Sequence, residues 1–141
     1  MQIKPSVFAA ALLIGVSAYA ARIEIKFENI DPEKGKIIRI GLYRQEGFPE
    51  EGKQAYSKAV EIEGEEARAV FDSIPAGTYA IACYQDSNGN KKLDRGIFNI
   101  PKEPCGFSKN KFGRFGPPSF RDVCFDLDED EEIELEIKLK Y

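Results

Sequence analysis

Hydrophobic and charged residues alternate strictly in two segments near the ends of the chain. The pattern covers residues 23–28 and residues 133–140, where every second position is isoleucine, leucine or phenylalanine. A period of two places one side-chain face of a strand against a core and the other face in solvent. Both segments are therefore predicted to be β-strands with one buried face.

Weaker strand patterns fill much of the chain between these two segments. They cover residues 38–42, 55–62, 67–71, 79–83 and 123–127. Turn-forming residues separate them, and no segment has a convincing helical period, although residues 47–56 are ambiguous and could hold a short helix. About seven short strands with such turns predict an all-β fold, an antiparallel sandwich of immunoglobulin-like or transthyretin-like type with Greek-key connections.

The N-terminal segment has the character of a secretory signal peptide. Lys4 precedes an apolar stretch over residues 7–16, and Ala18-Tyr19-Ala20 fits the small-x-small cleavage rule. The stretch is shorter than the roughly 20 residues of a membrane span, although an uncleaved anchor is the alternative. We expect a signal peptide over residues 1–20 and a single β-sandwich domain over residues 21–141, in a protein that is periplasmic or secreted.

Composition narrows the classes of function. The 141 residues include no histidine, which removes the commonest general base and the usual zinc ligand. A net charge of −4 argues against nucleic-acid binding. We therefore expect a protein that is not an enzyme, binds no nucleic acid and has no membrane span after signal cleavage. Its expected partner is an envelope or extracellular component.

Acidic and amide side chains recur at alternate positions between residues 86 and 94. The candidate metal ligands are Asp86, Asn88, Asn90, Asp94 and the main-chain carbonyl of Lys92. Alternate residues of a tight loop aim their oxygens into one concavity, as Ca²⁺ requires, and Glu103 or Asp122 could complete the shell. The twelfth position is Ile97 rather than an acid, so the loop is not an EF-hand. Structural Asx turns explain the same residues, and both interpretations stay open.

The long interruption over residues 86–119 also contains an aromatic and basic segment. The contact-surface candidates are Phe107, Lys109, Lys111, Phe112, Arg114 and Phe115. Such a segment predicts a contact surface for an anionic partner, such as a sugar polymer, a phospholipid head group or another envelope protein. The alternative is a satellite core, in which the phenylalanines pack beneath the loop and the cations face solvent.

Three cysteines, Cys83, Cys105 and Cys124, follow the predicted signal peptide. Alternation places Cys83 on the buried face of its strand, where it serves as a small hydrophobic residue. Because export permits disulfides, we hypothesise a Cys105–Cys124 bridge that pins the long loop and contributes about 3 kcal/mol if it is unstrained. Three free thiols are the alternative.

An ordered set of motifs lies between residues 71 and 125. It comprises FDSIPAGTY at 71–79, DSNGNKKLD at 86–94, PKE at 101–103, GFS at 106–108 and GPPSF at 116–120. The first motif resembles the turn-and-strand entry of transthyretin-like and collagen-adhesin B-type modules. The set resembles a family of small exported bacterial proteins of unknown function, which implies a secreted β-sandwich and no established activity. The chain departs from that family at Gln85, usually histidine, and at Lys91, usually glycine.

The leading hypothesis is an exported, non-catalytic binding or structural module, with Ca²⁺ as the one cofactor considered. A small-ligand carrier resembling transthyretin is the first alternative, and it needs a dimer channel or a closed apolar cavity of a few hundred Å³. A hydrolase built on Asp86 and Asp94 is the second, and it needs carboxylates that converge in a cleft with raised pKa values.

Overall fold

The computed structural model describes residues 20–141. Apart from Ala20, the predicted signal peptide lies outside the described residues. The strands are β1 Ala21–Glu28, β2 Ile37–Tyr43, β3 Tyr56–Glu61, β4 Ala67–Ile74, β5 Gly77–Asp86, β6 Cys105–Phe107, β7 Phe125–Leu127 and β8 Glu132–Lys138. One short helix, α1, spans Phe120–Val123, and three-residue 3₁₀ turns occur at Pro32–Lys34, Ile97–Asn99 and Ser108–Asn110. The prediction of an all-β sandwich is confirmed.

The strands form two sheets. In the three-stranded sheet, β1 lies between β4 and β8, and in the five-stranded sheet the order is β3-β2-β5-β6, with β7 on the first residues of β5. Every pair is antiparallel except β1–β8, which runs parallel from Arg22–Glu132 to Glu28–Lys138. β1 and β8 are the first and last strands of the chain and are not joined by a hairpin, which would make the pair antiparallel.

The core lies between the two sheets and consists of the alternating apolar residues of the long strands. Ile23 and Ile25 of β1 face Ile81 of β5 and its neighbours, and all three are fully buried. Burial of each such side chain stabilises the fold by about 1.5–3 kcal/mol relative to exposure. The alternation noted in the sequence therefore marks the side of each sheet that holds the two layers together.

Three local features differ from what the sequence predicts. The predicted strand over residues 123–127 begins only at Phe125, because Ser119 caps α1 by accepting a hydrogen bond from the Asp122 N–H at 3.3 Å, and Val123 ends that helix. β6 lies inside the predicted long loop and is too short to show alternation. The ambiguous segment over residues 47–56 forms turns and irregular chain up to residue 55, not a helix, and β3 begins at Tyr56. Among residues 20–141, no helix is long and apolar enough to cross a membrane.

Candidate binding face

The outer face of the five-stranded sheet carries a depression. One row across β3, β2, β5 and β6 consists of Ser57, Gly41, Ala82 and Phe107. The next row consists of Ala59, Arg39, Tyr84 and Cys105. Small side chains occupy half of these positions, and a cavity of about 710 Å³ lies over them. We call this space the outer-face cavity.

A glycine keeps the floor of the outer-face cavity low. A Cβ atom on Gly41 would lie 2.4 Å from Cε2 of the Tyr43 ring, so no larger residue fits without moving that ring. Tyr43 is held from its other side by an edge-to-face contact with Phe48, with ring centroids 5.6 Å apart. The aromatic wall is therefore fixed in place by packing.

Two loops meet at the rim of the outer-face cavity. The β2–β3 loop contributes Glu51, whose Oε1 accepts a hydrogen bond from the Leu93 N–H of the β5–β6 loop at 2.7 Å. Burial and the nearby Glu51 carboxylate raise the pKa of Tyr43 to about 12 and that of Tyr84 above its ordinary value as well. Both phenols therefore stay protonated at neutral pH and can donate hydrogen bonds.

Asp86 and Arg39 form an ion pair at one end of the outer-face cavity. Arg39 Nε donates to Asp86 Oδ2 at 2.7 Å, and the Asp86 side chain has no exposed surface. Asp86 also accepts hydrogen bonds from the N–H groups of Gly89 and Lys91, each at 3.0 Å. Although burial opposes ionisation, these hydrogen bonds and the Arg39 charge hold the pKa of Asp86 below its ordinary value. The aspartate is therefore charged and orients the guanidinium.

The predicted calcium loop has a different internal geometry from the one expected. Asn88 and Asn90 each turn their Nδ2 toward Asp94, at 2.6 and 2.8 Å, while their Oδ1 atoms accept main-chain N–H groups. Asp86 faces Arg39 instead, and the exposed Lys92 donates its N–H to Asn90. Among the residues that the structure describes, no three His, Cys, Asp or Glu side chains are grouped as a metal would need. Calcium binding stays a prediction.

A carboxyl pair joins the two ends of the same loop, and sequence reasoning foresaw only part of it. Glu103, considered earlier as a remote ligand, accepts hydrogen bonds from the N–H groups of Ser87 at 2.8 Å and Asp94 at 3.0 Å. Its carboxyl group also contacts that of Asp94. Burial, with the Asp94 carboxylate, raises the pKa of Glu103, whereas hydrogen bonds from Asn90 and Glu103 lower the pKa of Asp94. Asp122, the other remote candidate, lies in α1.

The aromatic and basic segment divides into buried and exposed parts. Phe107 is buried with Ala80 and Val123 in a second apolar cluster, and Phe112 packs on it with ring centroids 5.6 Å apart. Phe115 is 96% exposed, and the Arg114 guanidinium lies 5.7 Å from its ring centroid. Lys109, Lys111 and Arg114 are exposed. Phenylalanines packed as in a satellite core and exposed aromatic and basic side chains thus occur side by side in one loop. A contact surface stays a prediction.

Sequence reasoning missed a second exposed apolar tip in the β5–β6 loop. Ile97, Phe98 and Ile100 are 80%, 91% and 61% exposed. The tip is closed at its base by a bridge between Arg95 and Pro101 and by a 2.8 Å hydrogen bond from the Gly96 N–H to the Ile100 carbonyl. The sequence did contain a signal for this exposed tip, namely three apolar residues within four consecutive positions of a loop.

These exposed apolar residues lie in a basic stretch of an acidic chain. Residues 91–121 hold eight lysines and arginines but only two acidic residues, although the whole chain has a net charge of −4. Arg95, at the base of the first tip, and Pro117, beside the second, both line the outer-face cavity. Positive charge and exposed apolar side chains therefore flank one face of the sandwich.

The predicted Cys105–Cys124 disulfide is wrong for this structure, because all three cysteines are free. Cys105 lies in β6 and lines the outer-face cavity, whereas the Cys124 Sγ turns to the Arg121 carbonyl, 3.6 Å away at the end of α1. Cys83 is buried in the core, as alternation predicts, and burial raises its pKa. Gln85, which stands where the resembled family usually has histidine, is also buried and donates to the Asp31 and Gly35 carbonyls at 2.7 and 2.8 Å.

The fold and this face define a β-sandwich domain with a cavity on an outer sheet surface. Residues 25–134 match the family described as "Uncharacterized protein conserved in bacteria (DUF2141)", and the chain belongs to that family. No curated protein and no solved structure matches the chain. The family description names no activity.

Proposed function

We propose that this protein is an exported, non-catalytic binding module that attaches to an anionic phospholipid surface. The observation that carries the proposal is the coincidence of two exposed apolar tips with the basic stretch over residues 91–121. We call the two tips, Ile97–Ile100 and Arg114–Phe115, together with the lysines and arginines of that stretch, the basic face.

The form of the tips favours a membrane over a flat protein partner. Phe98 and Phe115 project singly from narrow loops and are 91% and 96% exposed, so they present points rather than a broad apolar patch. Side chains of this kind enter the boundary between head groups and acyl chains, where apolar burial supplies the attraction. Full burial of one large apolar side chain is worth about 1.5–3 kcal/mol.

Charge supplies the second part of the attraction. Each lysine or arginine near an anionic bilayer contributes about 1 kcal/mol, and the effect fades beyond a Debye length of about 8 Å at physiological salt. The exposed Lys109, Lys111 and Arg114 lie close to Phe115 in the chain. Binding that combines both parts should therefore weaken, but not vanish, at high salt.

The acidic residues once considered for hydrolysis support a non-catalytic role. Asp86 is charged and bound to Arg39, which suits an orienting group better than a general acid. Asp94 is occupied by the amides of Asn88 and Asn90. The Asp94–Glu103 pair has one raised pKa, but neither residue lines the outer-face cavity.

Export is the second element of the proposal and has its own test. It is inferred from the apolar stretch over residues 7–16 and the Ala18-Tyr19-Ala20 cleavage signal. Mass spectrometry of protein recovered from the periplasm or medium of an expressing bacterium should give an N-terminus at Ala21. Full-length protein retained in the cytoplasm would contradict export.

Vesicle cosedimentation tests the membrane proposal. The purified processed protein should sediment with vesicles that contain phosphatidylglycerol and should stay in solution with phosphatidylcholine alone. The double variant Phe98→Ser/Phe115→Ser should lose most of this binding. Tyr141→Ser is the matched control, since Tyr141 is 56% exposed but lies outside the basic face.

Two outcomes would contradict the membrane proposal. The first is equal binding to both kinds of vesicle, and the second is binding that the double variant leaves unchanged. A third outcome is that the protein does not sediment with either kind of vesicle but binds an acidic polysaccharide through the same lysines. In that case the anionic partner is a sugar polymer instead.

A further inference from the structure

We infer that the outer-face cavity binds a small organic anion, with an apolar or aromatic body on the floor and its anionic group at Arg39. This inference does not rest on membrane attachment, because the floor of the cavity and its anion-binding group, Gly41, Ala82 and Arg39, lie outside the basic face. The two sites share only Lys91 and Arg95, which line the cavity at its rim. It is distinct from the closed carrier cavity considered in the sequence analysis, because this cavity lies outside the sandwich.

The size and floor of the outer-face cavity suit a small molecule. Its volume of about 710 Å³ lies within the roughly 300–1,000 Å³ typical of ligand sites. The two central positions, Gly41 and Ala82, are neighbours on β2 and β5 and leave the sheet surface nearly bare. An exposed sheet face is otherwise covered by longer polar side chains, so these residues make room for a guest.

One end of the outer-face cavity is apolar and rigid. Tyr43 and Phe107 line it, and both contact the Phe48 ring, with centroids 5.6 and 6.2 Å from it. Because packing already fixes these rings, a ligand that contacts them does not have to order them, and little conformational entropy is lost on binding. An aromatic or aliphatic body fits this end.

The other end offers an oriented guanidinium. Arg39 lines the outer-face cavity and uses only Nε for the buried Asp86, so both terminal nitrogens of its planar group are available to a ligand. Arginine binds carboxylates, sulfonates and phosphates through such paired N–H groups. Since Asp86 offsets the Arg39 charge, the remaining positive charge comes from three other residues that line the cavity, Lys58, Lys91 and Arg95.

Glu50 and Glu51 are the opposing charges that line the cavity. Glu50 pairs with Lys53, so Glu51 gives the more sensitive variant. Its Oε1 accepts the Leu93 N–H, a bond that a glutamine carbonyl can also accept. Glu51→Gln therefore keeps the two loops joined while it removes a negative charge beside the ligand. Anion affinity should rise by about three- to tenfold, in line with loss of a like-charge repulsion near a protein surface.

The probe for the experiment is 1-anilinonaphthalene-8-sulfonate, an aromatic sulfonate whose fluorescence rises on burial. We expect saturable binding of one molecule per chain by fluorescence titration and calorimetry. Its uncharged analogue, N-phenyl-1-naphthylamine, should bind at least tenfold more weakly, because it lacks the group that Arg39 recognises. Equal affinity for the two probes would overturn the assignment of an anion.

Three variants locate the binding. Ala82→Phe should fill the floor and abolish saturable binding, and Arg39→Lys should weaken it about tenfold because the amine that pairs with Asp86 leaves no forked donor. The basic-face variant Phe98→Ser/Phe115→Ser should leave it unchanged. Thermal melts of each variant establish that it is folded.

The failures of this inference and of membrane attachment are distinguishable. Probe binding that survives Ala82→Phe but is lost in Phe98→Ser/Phe115→Ser would place the probe on the exposed tips and overturn the cavity site. Vesicle binding is expected to be the same in Ala82→Phe as in the unaltered protein. Each set of variants thus reports on one site only.

Discussion

The side chains on the two faces of β5 differ in size, burial and structural role. On the inner face, Tyr79 and Ile81 have no exposed surface and fill the space between the sheets. On the outer face, Ala82 and Tyr84 are partly exposed and border the outer-face cavity. Large side chains fill the core on the inner face, whereas small side chains on the outer face leave space for the cavity.

Truncation on the inner face should have the largest effect on stability. Ile81→Ala leaves a void in a fully buried site and should lower the free energy of unfolding by about 3–4 kcal/mol. Ala82→Gly, one position along the same strand, should cost about 1 kcal/mol or less. Urea unfolding of the two variants measures both values, and similar costs would remove the distinction between the faces.

Removal of the charge at Asp86 should lower the free energy of unfolding by nearly as much, because it leaves Arg39 beside an uncharged buried group. Asp86→Asn should cost about 3 kcal/mol by urea unfolding. Asp72→Asn is the matched control, since Asp72 pairs with Arg22 at 3.6 Å in an exposed position, and it should cost less than about 1 kcal/mol. Equal costs would mean that the Asp86 ion pair contributes no more than a surface pair.

The pH dependence of the same variant sharpens the test. The pKa of Asp86 is lowered in the folded protein, so its contribution is present above the unfolded value of about 3.9 and is lost as pH falls through the folded value. Asp86→Asn should therefore unfold with a weaker acid dependence than the unaltered protein. An unchanged acid transition would contradict this assignment.

The calcium hypothesis for the loop makes a separate prediction about stability. A hundredfold excess of Ca²⁺ over its dissociation constant should raise the free energy of unfolding by about 2.7 kcal/mol relative to EDTA. Asp94→Asn is the informative variant, because Asp86 is already needed for the ion pair with Arg39. A thermal melt that Ca²⁺ does not shift would leave the loop held by its Asx hydrogen bonds alone.

The predictable part of the molecule follows from alternation, and the unpredictable part from contacts distant in sequence. Ile23 and Ile81 could be assigned to the core because a period of two is a local signal. The outer-face cavity could not be predicted, because Gly41 and Ala82 become neighbours only when β2 pairs with β5. The Arg39–Asp86 pair, separated by 47 positions, is hidden for the same reason.

The candidate site residues show the same limit. The spacing of Asp86 and Asp94 predicted a shared role. The Asp86 carboxylate instead pairs with Arg39 of β2, whereas the Asp94 carboxylate accepts hydrogen bonds from Asn88 and Asn90 and contacts Glu103. Spacing defines which residues can meet within a loop but not which distant partner competes for them. For Phe107 and Phe115, residue type alone gave no means to separate the buried ring from the exposed one.

The smallest expected change in stability belongs to the exposed tips. Phe98→Ser should alter the free energy of unfolding by no more than about 0.5 kcal/mol, since the ring is 91% exposed. Phe107→Ser, which removes a ring from the second apolar cluster, should cost about 3 kcal/mol. A large loss of stability in Phe98→Ser would show that the tip packs against the rest of the protein. Reduced vesicle binding by the double variant Phe98→Ser/Phe115→Ser could then no longer be assigned to loss of a contact surface.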